Sequence, residues 1–283
     1  MKKILVGGAT GYLGRYLIME LKKQGYWVRA LARSASKLND LNECIDEVFE
    51  GEVTRPESLS GLCEGIDVVI SVIGITRQKD GLTYMDVDYQ GNKNLLDLAM
   101  QHNVSKFLYI SVINAHLMKD LKMIQAKERF VDELKASKMD CVIIRPTGFF
   151  SDMLEFYHMV QKGSAYLFGD GENVINPIHG ADLAEICVNS IIAAEKELNV
   201  GGPEKFTFRQ IAELAFQVQN RKTRILSLPL WLIRLTLPFL RVFSSSKTYG
   251  PIEFMMSIMT MDVIGQLSGK EKLEDFFSSQ NAQ

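Results

Sequence analysis

Lys3-Ile4-Leu5-Val6-Gly7-Gly8-Ala9-Thr10-Gly11-Tyr12-Leu13-Gly14 runs from a short β-rich segment into a glycine turn. Residues 12–24 follow with apolar side chains at helical spacing. Between a strand and a helix, each glycine has its own physical use. Gly8 permits the tight turn, Gly11 lets the backbone approach a pyrophosphate, and Gly14 lets the helix pack close to the strand. Backbone N–H groups and the helix dipole then face negative charge. The stretch predicts a dinucleotide site, with Thr10, Tyr12 and Leu13 lining the turn.

Outward from this loop the chain alternates. β-rich runs at 3–6, 27–31, 47–50, 67–72, 107–111 and 141–145 are separated by helix-like stretches at 12–24, 36–42, 57–63, 83–103 and 119–137. That order predicts an α/β fold: a doubly wound parallel sheet of Rossmann type, covered on both faces. After Arg145-Pro146 the pattern changes. Gly and Pro become frequent over 163–177, then come a helix at 182–194, a strand at 198–200 and a helix at 209–219. Residues 225–277 read as helical. We expect residues 1–145 to form the dinucleotide-binding core. Residues 146–283 would form a smaller, α-rich substrate side, with some segments returning to the sheet. The Ser/Gln/Asn-rich stretch after Phe277 is expected to fray.

Bulk properties exclude several classes. A net charge of −2 over 283 residues argues against a nucleic-acid partner. Cys44, Cys63, Cys141 and Cys187 are scattered and lack the spacing of a metal site, so no metal is expected. The apolar run Ile4 to Val6 is too short for a secretory signal. We therefore expect a cytoplasmic protein acting on a small-molecule substrate. The most apolar segment, 225–243, contains two prolines and two arginines, which argues against a spanning helix. It reads as a pocket wall, a subunit interface, or a peripheral membrane contact with Trp231 at the interface and Arg234, Arg241 and Lys247 facing headgroups.

The end of the second β-run carries Ala32-Arg33-Ser34, with Lys37 one turn on. A site that prefers NAD(H) usually places a carboxylate there for the ribose hydroxyls. A guanidinium can instead stack on adenine and pair with a 2′-phosphate. NADP(H) is the cofactor expected, ahead of NAD(H).

At this point the chain resembles the atypical extended short-chain dehydrogenase/reductase family, in its NAD(P)H-binding, NmrA-like group. Five stretches within residues 1–220 carry the resemblance: 8–14; 32–34; Asp67-Val68-Val69-Ile70-Ser71-Val72-Ile73-Gly74; Val87-Asp88-Tyr89-Gln90-Gly91-Asn92-Lys93-Asn94-Leu95-Leu96; and Arg145-Pro146-Thr147-Gly148-Phe149-Phe150. It implies that Gly8, Gly11 and Gly14 wrap the pyrophosphate and that Arg33 reads the adenosine phosphate, with Ser34 and Lys37 beside it. Glu52 would lie near the adenine. Val72, Ile73 and Gly74 would pass beneath the ribose, and Pro146, Thr147 and Gly148 would run past the nicotinamide.

The family's catalytic unit is a Ser with a Tyr and Lys spaced YxxxK, in which the tyrosine passes a proton while hydride arrives. Ser111 matches the serine and Lys127 the lysine, which would also hold the nicotinamide ribose. Met123 stands where the tyrosine would be, and a thioether donates no proton. Two classes of function stay open. One is an NADPH-dependent reductase of a small or hydrophobic carbonyl or alkene compound, its proton coming from Lys127 or from Tyr109, Tyr157, His158 or His179. The other is a non-catalytic NADP(H)-binding redox sensor, scaffold or assembly factor, as among NmrA-type regulators and the nucleotide-binding accessory subunit of respiratory complex I. Asp182, in Asn176-Pro177-Ile178-His179-Gly180-Ala181-Asp182, reads as a helix N-cap or first-turn anion. Arg77 and Lys79 follow the fourth β-run at the edge where such folds bind ligands. Met255, Met256, Met259 and Met261 suit an adaptable apolar surface.

Overall fold

A computed structural model describes residues 1–75, 81–231 and 246–282. Its centre is one parallel sheet. In chain order the first six strands are β1 (Lys3–Gly7), β2 (Trp27–Ala32), β3 (Glu47–Glu50), β4 (Val68–Ser71), β5 (Lys106–Ile110) and β6 (Cys141–Pro146). They lie in the order β3-β2-β1-β4-β5-β6. Two later strands, β9 (Glu197–Gly201) and β12 (Gln266–Leu267), extend the sheet beyond β6, also parallel. Among the described residues eight strands therefore form one layer, and the sheet crosses the 145/146 boundary expected from sequence.

The period-two alternation of the strands sorts side chains to two cores. Ile4 and Val6 face one side, with Val28, Ile70 and Leu108. There they meet α1 (Tyr12–Lys23) through Leu17, Ile18 and Leu21, and α5 (Gly180–Asn189) through Leu183 and Cys187. Leu5, Val69, Phe107 and Tyr109 face the other side. They meet α2 (Asn92–Gln101) through Leu95 and Leu96, and α3 (Lys122–Ala136) through Ile124, Phe130 and Leu134. Strands buried on both faces read as near-continuous apolar runs, which is why β4 and β5 were visible in the sequence.

Several expected elements differ. Residues 57–63 form only a short 3-10 turn, Pro56–Leu59, because Gly61 adopts φ 80° and breaks the run. The 36–42 stretch is a 3-10 segment, Ala35–Cys44. The 83–103 helix begins as a π turn, Met85–Gly91, before α2. Between β6 and residue 163 lies a helix absent from the sequence reading, α4 (Phe150–Gln161). Its signal was present: Phe150, Met153, Phe156, Tyr157 and Val160 are its buried side, at helical spacing, and the Asp152 carboxylate accepts from the Phe149 N–H.

The second half adds two small sheets: β7 (Ala165–Phe168) with β11 (Ile225–Leu228), and β8 (Val174–Ile175) with β10 (Phe206–Thr207). The first corrects the expected helix at 225, since Ile225–Leu228 is a strand parallel to β7. The helix α6 (Phe208–Val218) packs on α4. The helices Ser246–Met259 and Leu273–Ser279 follow. The stretch after Phe277 is tied down rather than frayed. The Tyr157 hydroxyl donates to Asn281 Oδ1 at 2.6 Å, and Asn281 Nδ2 donates to the Val218 carbonyl at 3.1 Å. Among the described residues no helix is long and apolar enough to cross a membrane.

Buried Asn176 joins three segments. Its Nδ2 donates to the carbonyls of Gly202 and Gly265 at 3.1 and 3.2 Å, and its Oδ1 accepts from the Gly265 N–H at 2.9 Å. Replacing it with leucine strands those groups away from water. We expect Asn176→Leu to cost about 1–3 kcal/mol in urea unfolding. Gly14 is the other tight point, because a Cβ there would lie 2.2 Å from the Gly8 carbonyl oxygen. Gly14→Ala must push α1 off the turn. We expect a loss of about 1–3 kcal/mol by the same measurement, whereas a neutral result would mean the contact relaxes freely.

Candidate functional site

The strand order reverses between β1 and β4, and open α/β sheets bind ligands at the carboxyl ends of the strands flanking such a point. A cleft of about 270 Å³ opens there. Gly8, Thr10 and Gly11 line it from the turn after β1. Arg33 and Lys37 reach it after β2, Glu52 after β3, and Val72, Ile73 and Gly74 after β4. Leu31 and Ala32 at the end of β2, with Gly51, Val53, Thr54, Ile75, Leu82 and Val87, complete the wall. They are apolar or small residues at strand ends, in loops and, for Val87, on the π turn before α2, and neither spacing nor charge marked them as site residues in the sequence. Gly8 adopts φ 85°, which a side chain would strain. No acidic residue occupies the first turn of α1, and its N-cap, Gly11, offers no side-chain cap. The positive end of that helix is left to meet an anion. The glycine cradle, the helix end and the cleft fit a dinucleotide.

Other predicted residues lie elsewhere. Leu13 is buried in the core beneath α1. Gly14 shapes the turn without lining the cleft. The Tyr12 hydroxyl accepts from the Gly180 N–H at 3.1 Å, and its ring packs edge-on against Phe149, so Tyr12 bridges α1 to α5. The Ser34 hydroxyl bonds that of Ser36 at 2.9 Å. Pro146 ends β6, and Gly148 follows beside Ile175. The buried Thr147 hydroxyl donates to the Asn176 carbonyl at 2.6 Å. These three lead from β6 into α4, outside the cleft lining.

Under the β4 loop lies a buried polar cluster. The Ser71 hydroxyl donates to Asn92 Oδ1 at 2.5 Å, and Asn92 Nδ2 donates to the carbonyls of Asp88 and Ile73. Lys127, on α3, places Nζ 2.9 Å from Asp88 Oδ1. Gly74 sits directly above, where a Cβ would lie 2.6 Å from that Nζ. Lys127 therefore meets the cleft wall at Gly74 without itself lining the cavity. Met123, one turn earlier on α3, is buried in the core. Ser111 points into an ion-pair network instead. Its hydroxyl donates to Glu128 at 2.7 Å and accepts from Arg145, which also grips Glu128 and Glu197.

The alternative donors separate clearly. Tyr157 is spent on Asn281. His158 is exposed and bonds Gln161. His179 is the N-cap of α5, its Nδ1 accepting from the Ala181 N–H at 3.3 Å. Nε2 therefore carries the proton and meets the Tyr16 hydroxyl at 3.3 Å. Burial lowers the His179 pKa, keeping the ring neutral. Asp182 is thus a first-turn residue and not the cap; its carboxylate accepts from the N–H groups of Lys270 and Glu271. Tyr109 alone faces Lys127, with Nζ 5.8 Å from its ring centroid. Burial pushes the Tyr109 phenol up to about 12.

The four cysteines are free thiols, and no group of residues among those described could hold a metal ion. Arg77 and Lys79 lie outside the described residues, as do 232–243 of the apolar segment and the side chain of Lys247. Trp231, at the last described position before that gap, is 67% exposed. Met256 and Met259 are buried, and Met255 and Met261 pack against the core.

Comparison with known proteins agrees with this geometry. A family model described as NAD(P)H-binding matches residues 8–193. The chain is 29% identical to divinyl chlorophyllide a 8-vinyl-reductase of Arabidopsis thaliana, covering 97% of this chain and 76% of that one. It is 27% identical to the photosystem II assembly factor Ycf39 of Trieres chinensis, over 82% of this chain and 74% of that one. Its fold is like that of the NADPH-dependent quinone oxidoreductase QOR2 of Escherichia coli, with TM-score 0.77, 16% identity, and coverage of 98% and 99%. With a glycine cradle at the switch point and a matching model over residues 8–193, the chain belongs to the NAD(P)H-binding family of atypical short-chain dehydrogenase/reductases.

Proposed function

We propose that the chain binds NADP(H) and uses it to reduce a carbonyl or alkene group in a small or hydrophobic compound. The observation that carries this reading is the placement of Lys127, a nearly buried ammonium set against the cleft wall at Gly74. When bound, the dinucleotide supplies hydride. Lys127 holds the nicotinamide ribose and supplies the proton that Met123 cannot. Hydride added to one carbon of a polarised double bond leaves charge on the neighbouring atom, and an ammonium is suited to neutralise it. The likeness to a protein named as a vinyl reductase supports an alkene substrate.

NADP(H) is preferred because Arg33 and Lys37 both line the cleft just past β2. Their charges meet a 2′-phosphate, and a guanidinium can also stack on the adenine. The second reading, a non-catalytic NADP(H)-binding scaffold or assembly factor, is favoured by the buried Met123 and by the likeness to an assembly factor. Trp231 is the described side chain through which a membrane surface or a second subunit would make contact.

Three measurements test these readings. Arg33→Asp should weaken NADPH binding by about tenfold or more, as loss of a charge-assisted contact does, with much less effect on NADH. Equal loss of both would remove the phosphate role. In a screen of quinones, enones and vinyl-bearing compounds, the reductase reading expects substrate-dependent NADPH oxidation. Tight binding without turnover in every case would favour the scaffold. Trp231→Ala should reduce co-sedimentation with anionic vesicles if that face meets lipid, whereas unchanged sedimentation would leave it to a pocket or subunit.

A further inference from the structure

The π turn Met85–Gly91 is an uncommon element, and such turns occur often at functional sites. Here it delivers Asp88 inward. Asp88 is 0% exposed. Its Oδ1 pairs with Lys127 Nζ at 2.9 Å, and its Oδ2 accepts from the Ile75 N–H at 3.2 Å. Ile75 lines the cleft. A carboxylate this deep requires a cation or N–H partners. It has one of each, and both belong to the cleft wall or stand against it.

We propose that Asp88 is a positioning residue, whose carboxylate keeps the Lys127 ammonium charged and fixed at the edge of the cofactor cleft and couples it to the Ile75 N–H of the wall. The proposal rests on the reading that Lys127 touches the bound dinucleotide. It does not require the dinucleotide to react.

The groups facing Lys127 leave this role to Asp88. On β5, Tyr109 presents its ring, and its buried hydroxyl makes no hydrogen bond of good geometry among the described residues. Held up to about 12 by burial, that phenol is neutral at physiological pH and faces the ammonium with a hydroxyl dipole, not with a charge. On α3, Glu128 is turned toward Arg145 and Ser111. On the π turn, Asp86 is turned outward to Thr83. Among the described residues Asp88 is thus the charged partner. Burial lowers the Lys127 ammonium and raises the Asp88 carboxyl. For the lysine, Tyr109 and Asp88 more than offset burial and leave it above the ordinary lysine value.

Asp88→Asn keeps the shape and retains an acceptor for the Ile75 N–H, but removes the charge. The lysine is then buried alone and loses its proton at lower pH. The test is the NADPH dissociation constant of the full chain from pH 7 to 10, for wild type, Asp88→Asn, Lys127→Met and the double variant. In Asp88→Asn, affinity should fall with rising pH, approaching about tenfold per pH unit beyond the lysine's lowered pKa. Wild type should lack that fall. Lys127→Met should bind weakly, and the double variant should share its pH profile. An Asp88→Asn profile parallel to wild type, or a Lys127→Met chain that binds as tightly as wild type, would overturn the proposal. A purely structural role would move the melting temperature without adding a pH step.

If Asp88→Asn does not fold, the wild-type chain still decides. The Lys127 Cε resonance, assigned with Lys127→Arg, should show the ammonium persisting above the ordinary lysine pKa of about 10.4. Titration at or below that value would falsify the proposal. Failure of the reductase reading would appear as absent turnover and would leave these binding and titration results untouched.

Discussion

The site depends on how closely α1 approaches the turn after β1. Gly14 removes the one side-chain atom that would collide with the Gly8 carbonyl. The helix then starts against the strand end, and its uncapped N-terminus opens toward the cleft. A parallel sheet buried on both faces has only its strand ends available for function. The reversal of strand order between β1 and β4 decides which ends diverge enough to admit a ligand. Packing, electrostatics and binding meet at a single glycine.

Much of this was legible in the sequence because it rests on local rules. Strand–turn–helix chemistry, apolar runs and the Arg33–Ser34–Lys37 cluster are short-range signals, and most of the predicted residues that surround the turn do line the cleft. The less legible parts depend on distant partners. Ser111 matched a catalytic position by spacing, yet its hydroxyl is engaged by Glu128 and Arg145, 17 and 34 residues away. Tyr12 looked like a phosphate-loop residue, but its hydroxyl meets Gly180, 168 residues on. The helix α4 was hidden by its aromatic content and by the glycines that bracket it. Asp182 had the right chemistry for a cap, but the neighbouring imidazole takes that place.

The buried polar cluster beneath the β4 loop illustrates the same divide. Ser71, Asp88 and Asn92 are fully buried, as their strand and helix positions permit, but nothing in their spacing announces that they bond one another. The π turn carries Asp88 and leads into α2 at Asn92; the two residues, four apart, both face inward, where they bond Ile75 and Ile73. Lys127 then finds the Asp88 carboxylate at 2.9 Å, while Met123, in the core, takes the position of the family's tyrosine. Loss of the phenol at position 123 leaves a charged centre whose settings come from α3, β5 and the π turn together.

The two-residue strand β12 has a consequence of another kind. A sheet of eight parallel strands has two open edges, each a row of unpaired backbone groups that could recruit a foreign strand. At one edge β3 is four residues long and begins and ends with Glu47 and Glu50. At the other, Gln266–Leu267 covers the end of β9 and then stops, and Gly269 turns the chain away at φ 82°. Neither border offers a long, flat, apolar template. The sheet can be wide because its margins are short or charged, a poor template for edge-to-edge strand pairing, while the carboxyl ends of the strands stay open for binding.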